Sequence, residues 1–186
     1  MGPTPNLQWL ATACKQYGPG RLPRANRRDV GAGYAGAAAA LAIALTFALG
    51  MVVLYQLGVS HDLIHPFWGM SALVSLPFVV PTAFLVGTAV WRYLPARIPY
   101  FGAVAGVVTT VLTYVISLVL VFFALLAIVA TSSGTGIETT AELLEVAAGL
   151  TLLIGIFATV MTTWLTIPIG CLSGVIYERA RVVPTR

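Results

Sequence analysis

Residues 81–92 read PTAFLVGTAVWR, and residues 168–179 read PIGCLSGVIYER. Both follow the spacing Pro-x5-Gly-x4-Arg, from Pro81 through Gly87 to Arg92 and from Pro168 through Gly174 to Arg179, with Trp91 answered by Tyr177. Each stretch closes an apolar run and ends where an aromatic residue meets an arginine, the pairing that marks the edge of a bilayer. Upstream the echo continues, because Arg28 leads to Gly33 after the same interval as Arg97 leads to Gly102. The expected fold is therefore all-α, an integral membrane four-helix bundle of two pseudo-repeated helical hairpins. With two spans per unit, the copies run parallel about an axis along the membrane normal.

Composition points the same way. Hydrophobic residues make up 59% of the 186 and charged residues only 9%, against roughly 25% charge in a soluble domain. Mean hydropathy is +0.93. Spans of about 20 residues each fit several times into this length and leave little for a separate soluble domain. Cys14 and Cys171 lie far apart and form no CxxC pair, so no disulfide framework is indicated. Arginine outnumbers lysine nine to one, and Ala, Val, Gly and Thr abound, which suggests a G+C-rich prokaryotic genome.

Four segments are expected. Residues 1–29 form a cytoplasmic N-terminal segment, in which Leu7, Leu10, Ala11 and Cys14 share one face of a short interfacial helix. Residues 30–93 form the first transmembrane hairpin, 94–177 the second, and 178–186 a cytoplasmic tail. The first span, 30–57, is too long and too far into the chain for a cleaved leader, whose apolar region runs to roughly 7–15 residues. Arg27 and Arg28 before it read as flanking charge rather than a twin-arginine export signal, because three more spans follow. Pro77, Pro81 and Pro168 are expected to kink their helices, with Ser75 and Thr82 near enough to serve the freed carbonyls. Thr139 and Glu142 match a capping box that opens the last span. The third span, 98–130, would reach roughly 50 Å at about 1.5 Å per residue, so it must tilt or project beyond a core of about 30 Å.

Sidedness follows from charge. With four spans, Lys15, Arg21, Arg24, Arg27, Arg28, Arg92, Arg97, Arg179, Arg181 and Arg186 all fall on one side. Asp29 and Glu178 reduce that face to +8, while Asp62, Glu138, Glu142 and Glu145 give the other −4, which together make the net +4. Cytoplasmic loops carry the basic excess, so both termini are expected in the cytoplasm, with Arg28, Arg92, Arg97 and Arg179 as topology anchors. This placement assigns the basic charge to a membrane surface and not to nucleic acid.

Small residues line several helix faces, where they let backbones approach closely. Gly102, Gly106, Gly170 and Gly174 are the expected packing glycines. Gly102 and Gly106 continue into Thr109, Thr113 and Ser117, which reads either as packing or as a hydroxyl-lined conduit for a small solute. No Asp, Glu, Lys, Arg or His occupies the middle of a span, unlike ion-coupled transporters and proton relays. Histidines for haem within the helices, and paired cysteines for quinone-linked thiol chemistry, are also missing from the sequence. His61, Asp62 and His65 are the one group with ligand character, since on a helix His61 and His65 would share a face as in helical zinc sites. The favoured reading is a polar external loop whose histidines are solvated or cap helix ends, with a divalent metal as the alternative. The leading expectation is a non-enzymatic accessory or scaffold subunit without a cofactor, acting through helix–helix packing. Its partners would be the lipid bilayer and either further copies of itself or another membrane protein. Alternatives are a small oligomeric permease or channel, and an external metal-dependent enzyme or sensor using His61, Asp62 and His65.

Overall fold

The computed structural model describes residues 22–59, 66–95, 99–132 and 139–182. Four helices account for nearly all of them: α1 (Arg28–Gln56), α2 (Pro66–Tyr93), α3 (Phe101–Thr131) and α4 (Thr140–Val182). No strand occurs among the described residues. All four helices are long and apolar enough to cross a membrane, with 18-residue windows of mean hydropathy between 2.0 and 2.8. The interfacial helix expected within 6–17, the His61, Asp62 and His65 group, and Arg97 lie outside the described residues.

Local chemistry sets the helix ends. At the start of α4 the Thr139 N–H donates to Glu142 Oε2 and the Glu142 N–H donates to Thr139 Oγ1, both at 3.2 Å. This is the reciprocal capping box, and it satisfies two otherwise orphaned donors. At the end of α1, the Val59 N–H donates to the Leu54 carbonyl and the Gly58 N–H to the Tyr55 carbonyl. Gly58 has φ +72°, the left-handed turn of a Schellman stop, which glycine adopts without a Cβ clash. The start of α3 follows Tyr100, which itself sits in the left-handed region at φ 56°. No local side chain caps α3. Its Gly102 N–H instead donates 2.7 Å to Glu178 Oε2 on α4. The last helix thus runs five residues past the expected boundary at 177, and Glu178 belongs to the fold rather than to a tail.

Each helix packs on its neighbours in a closed ring, α1 on α2, α2 on α3, α3 on α4 and α4 on α1. Successive helices run antiparallel, as shown by Gly33 beside Gly87 and by Ala48 beside Gly69 in the first hairpin. Glycine sets how closely they approach. A methyl group at Gly106 would overlap the Gly170 carbonyl, and one at Gly174 would overlap the Gly102 carbonyl. Between α1 and α2, a Cβ on Gly87 would sit 3.2 Å from the Gly33 Cα. Both hairpins therefore cross at glycines, in the part of each helix nearest its arginines.

The outer surface inverts the pattern of a water-soluble bundle. Leu49 is 65% exposed, Val74 67% and Val160 67%, whereas outside the aromatic pair Phe101 and Trp91 the most enclosed positions are mostly small or hydroxylated, among them Ala105, Ala147 and Thr82. Large apolar side chains outside and small ones inside are what helices need when lipid supplies no hydrophobic drive for their association.

Pro77 and Pro81 are accommodated within α2, and Pro168 within α4. One expectation fails here. A proline deprives the carbonyl four residues earlier of its partner, which means Leu73, Pro77 and Trp164. Ser75 donates instead to the Ala72 carbonyl (2.8 Å) and Thr82 to the Phe78 carbonyl (2.6 Å). A side chain on a helix reaches back three or four residues, and from positions 75 and 82 that reach does not meet residue 73 or 77. The three proline rings are exposed, so the freed carbonyls lie toward the outside of the bundle.

Candidate functional site

Three features of the bundle interior have chemical content. The first is a collar at the basic end. Trp91 stands edge-on to Phe101 (centroids 4.8 Å, planes 86°) and to Tyr177 (4.9 Å, 85°). The Arg28 guanidinium carbon lies 4.6 Å from the Phe101 ring centroid and 5.7 Å from that of Trp91. Edge-to-face rings and a cation over an aromatic face are both electrostatically favourable arrangements. Tyr177 donates its hydroxyl to the Arg28 carbonyl at 3.0 Å. Trp91 and Phe101 form the main buried cluster with Ala32, Val86, Val90 and Ala105, and Tyr177 packs against it, so that all four helices are tied together. Trp91 and Tyr177, paired by the sequence echo, touch each other. Counted from its proline, Glu178 rather than Tyr177 holds the place of Trp91.

The second feature is a row of hydroxyls on α3. Ser71, Thr82, Thr88, Thr110, Thr151, Thr159 and Thr162 each donate to the carbonyl four residues earlier, at 2.6 to 2.9 Å. This back-bonding is the usual way to bury a hydroxyl cheaply within a membrane helix. Thr109, Thr113 and Ser117 do not use it. Their Oγ atoms are enclosed and have no hydrogen-bond partner, although the residues are only 8%, 8% and 7% exposed. Leaving a buried hydroxyl unsatisfied costs about 1–3 kcal/mol. Beside the row, Tyr114 shares its hydroxyl with Thr162 and, at 3.1 Å, with Thr166, joining α3 to α4 by a polar contact.

The third is a groove of about 730 Å³ between α3 and α4 toward the acidic end. Leu118, Phe122, Phe123, Leu152, Ile156 and Val160 line it, and hardly any polar surface enters it. Leu118 closes its floor by packing on Gly155, where a Cβ would stand 3.2 Å from both leucine methyls.

The packing glycines Gly102, Gly106, Gly170 and Gly174 lie together between α3 and α4. Arg28 is drawn into the collar, whereas Arg92 and Arg179 are exposed at the same end. Cys171 is a half-buried free thiol whose Cα faces Gly106. Residue reading missed Glu178 as a cap, because its partner lies 76 residues away. The signal available was weak: a lone acid in a basic cluster, level with a helix start bearing glycine. Comparison with protein-family models, with curated proteins and with solved structures finds no match for this chain.

Proposed function

We propose that the chain is a four-span integral protein of the cell membrane with both termini in the cytoplasm, and that it acts as a non-enzymatic accessory or scaffold subunit. The observation that carries the subunit reading is the outward placement of Pro77, Pro81 and Pro168. Among the described residues no side-chain donor reaches the carbonyls these prolines free, and hydrocarbon supplies none. A second copy or another membrane protein packed on α2 or α4 would satisfy them. The crossing glycines Gly33, Gly87, Gly102, Gly106, Gly170 and Gly174 offer no such surface, since they are consumed between this chain's own helices. Exposed Trp164, one turn from Pro168 and 67% exposed, adds an aromatic anchor to the α4 face, the kind of residue on which binding energy concentrates.

Charge supports the orientation. Arg24, Arg27, Arg28, Arg92 and Arg179 gather at one end of the bundle and Glu142 and Glu145 at the other, as the positive-inside rule requires of a cytoplasmic basic end. The glycine crossings support a duplicated hairpin: Gly33 with Gly87, and Gly102 with Gly174, stand at matching places from their arginines and prolines.

Chemical cross-linking in native membranes, followed by mass measurement, tests the subunit reading. We expect an oligomer or a stoichiometric partner, weakened when Trp164→Ala is introduced. A chain that stays monomeric and captures nothing would remove the reading. The second reading, a small oligomeric permease or channel, is favoured by the unpaired hydroxyls of α3. Flux of small neutral solutes into proteoliposomes would decide for it.

A further inference from the structure

The walls of the α3–α4 groove keep even their hydroxyls out of it. Thr151 and Thr159 line it, yet each donates to a carbonyl of its own helix, Ala147 and Gly155, at 2.7 Å. At about 730 Å³ the groove has the size of a small-molecule site, roughly 300–1,000 Å³. Its lining side chains leave no free donor or acceptor, so a guest that fits is hydrocarbon. We propose that the groove holds one acyl chain of a membrane phospholipid whose headgroup ammonium meets Glu145. This goes beyond the scaffold reading and shares with it only the four membrane spans.

The dimensions fit one leaflet. Along α4 the lining runs from Ala148 to Val160, a rise of about 18 Å. Half of a hydrocarbon core is about 15 Å. Bulk at the rim favours a chain over a helix. Phe123, Leu152, Ile156 and Val160 are each more than half exposed, whereas membrane helices dock where small residues let backbones come close. A flexible chain threads between such side chains.

Charge selects the headgroup. The α4 lining repeats at intervals of three and four through Ala148, Leu152, Gly155 and Thr159. The same stripe reaches Glu145 one turn beyond Ala148. Glu145 is exposed, and among the described residues no ion pair engages it. In a four-span chain every lysine and arginine falls at the other end, so no cation here would hold the phosphate of an anionic lipid. An ethanolamine headgroup brings an ammonium whose N–H groups give the carboxylate charge-assisted hydrogen bonds. A glycerol headgroup brings only the negative charge of its phosphate.

Photo-crosslinking tests this on the full-length protein in phosphatidylcholine nanodiscs. The probes are phosphatidylethanolamine and phosphatidylglycerol with identical diazirine-bearing acyl chains, and adducts are located by peptide mass spectrometry. Leu49 and Val74, exposed toward the same end of α1 and α2, are the comparison. Groove residues Phe123, Leu152 and Ile156 should take the ethanolamine probe about threefold more often than the glycerol probe, the effect an exposed ion pair supplies. Glu145→Gln should bring that ratio to the value at Leu49 and Val74. Val119→Trp, which fills the groove from α3, should remove the groove adducts and leave those at Leu49 and Val74. Three results overturn the proposal: no lipid adduct in the groove, the same headgroup preference there as at Leu49 and Val74, or a preference that survives Glu145→Gln. The oligomer sought by cross-linking can be present or absent under any of these, so the two readings fail separately.

Discussion

The two ends of this bundle are built on opposite plans. At the basic end the helices approach through glycine, and polar atoms tie one helix to the next: Tyr177 to the Arg28 carbonyl, Glu178 to the Gly102 N–H. Toward the acidic end α1 and α2 keep one close glycine contact, Gly69 on Ala48, but the other contacts are between large apolar side chains, such as the stacked Trp68 and Phe157 at 5.1 Å. There α3 and α4 part around a groove of about 730 Å³. Close backbone packing fixes geometry because no rotamer can relieve an overlap with a carbonyl. Side-chain packing tolerates change because leucine, phenylalanine and methionine can re-settle. The difference implies that the basic end holds the fold together, while the acidic end is free to yield.

Substitutions that respect this difference should separate the ends, and the largest effect belongs to the glycines. Gly106→Leu drives a side chain into the Gly170 carbonyl; we expect a loss of about 3 kcal/mol or more, the upper range for overpacking. Gly149→Leu, on α4 with nothing within 4 Å of its Cβ position, should leave unfolding in detergent or nanodiscs unchanged. If both variants melt alike, the comparison between packed and open glycines is wrong.

Next comes Glu178→Ala, which strands the buried Gly102 N–H at the start of α3. An expected loss of about 1–2 kcal/mol follows from removing a helix cap, and Glu178→Gln should recover most of it, because an amide oxygen also accepts. Tyr177→Phe sharpens the same point at lower amplitude, about 1 kcal/mol for one hydrogen bond. Tyr93→Phe, at a tyrosine 79% exposed, serves as its silent control. The smallest effect is expected at the groove. Phe123 is already 58% exposed, so Phe123→Ala should cost less than about 1 kcal/mol, well below the 3–5 kcal/mol of a buried phenylalanine. A larger loss would mean that the groove is tightly filled by a partner.

Sequence reading recovers what depends on neighbours along the chain. Charge-free runs locate the four helices, and Thr139 with Glu142 announces the start of α4 because both halves of that cap lie within one turn. Glu178 was illegible for the opposite reason. Beside Arg179 it looks like one more surface charge, and only the α3–α4 crossing brings Gly102 to it. The hydroxyl row was visible as a periodicity in Thr109, Thr113 and Ser117, but not as a row without partners. A threonine on a helix can turn its hydroxyl to the backbone or away from it, and packing makes that choice. Proline positions were equally plain, whereas the carbonyls they free needed the helix faces to be known.

Orientation in the membrane is what links the two ends to function, and a paired labelling experiment tests it most directly. A reactive tag appended after Arg186 and a cysteine at Glu145, in a chain lacking its native cysteines, are probed with an impermeant reagent on intact cells. The account requires Glu145→Cys to label on intact cells and the tag at Arg186 to label only after permeabilisation. A tag at Arg186 that reacts in intact cells, or a Glu145→Cys that does not, would contradict a four-span bundle with its sealed basic end in the cytoplasm.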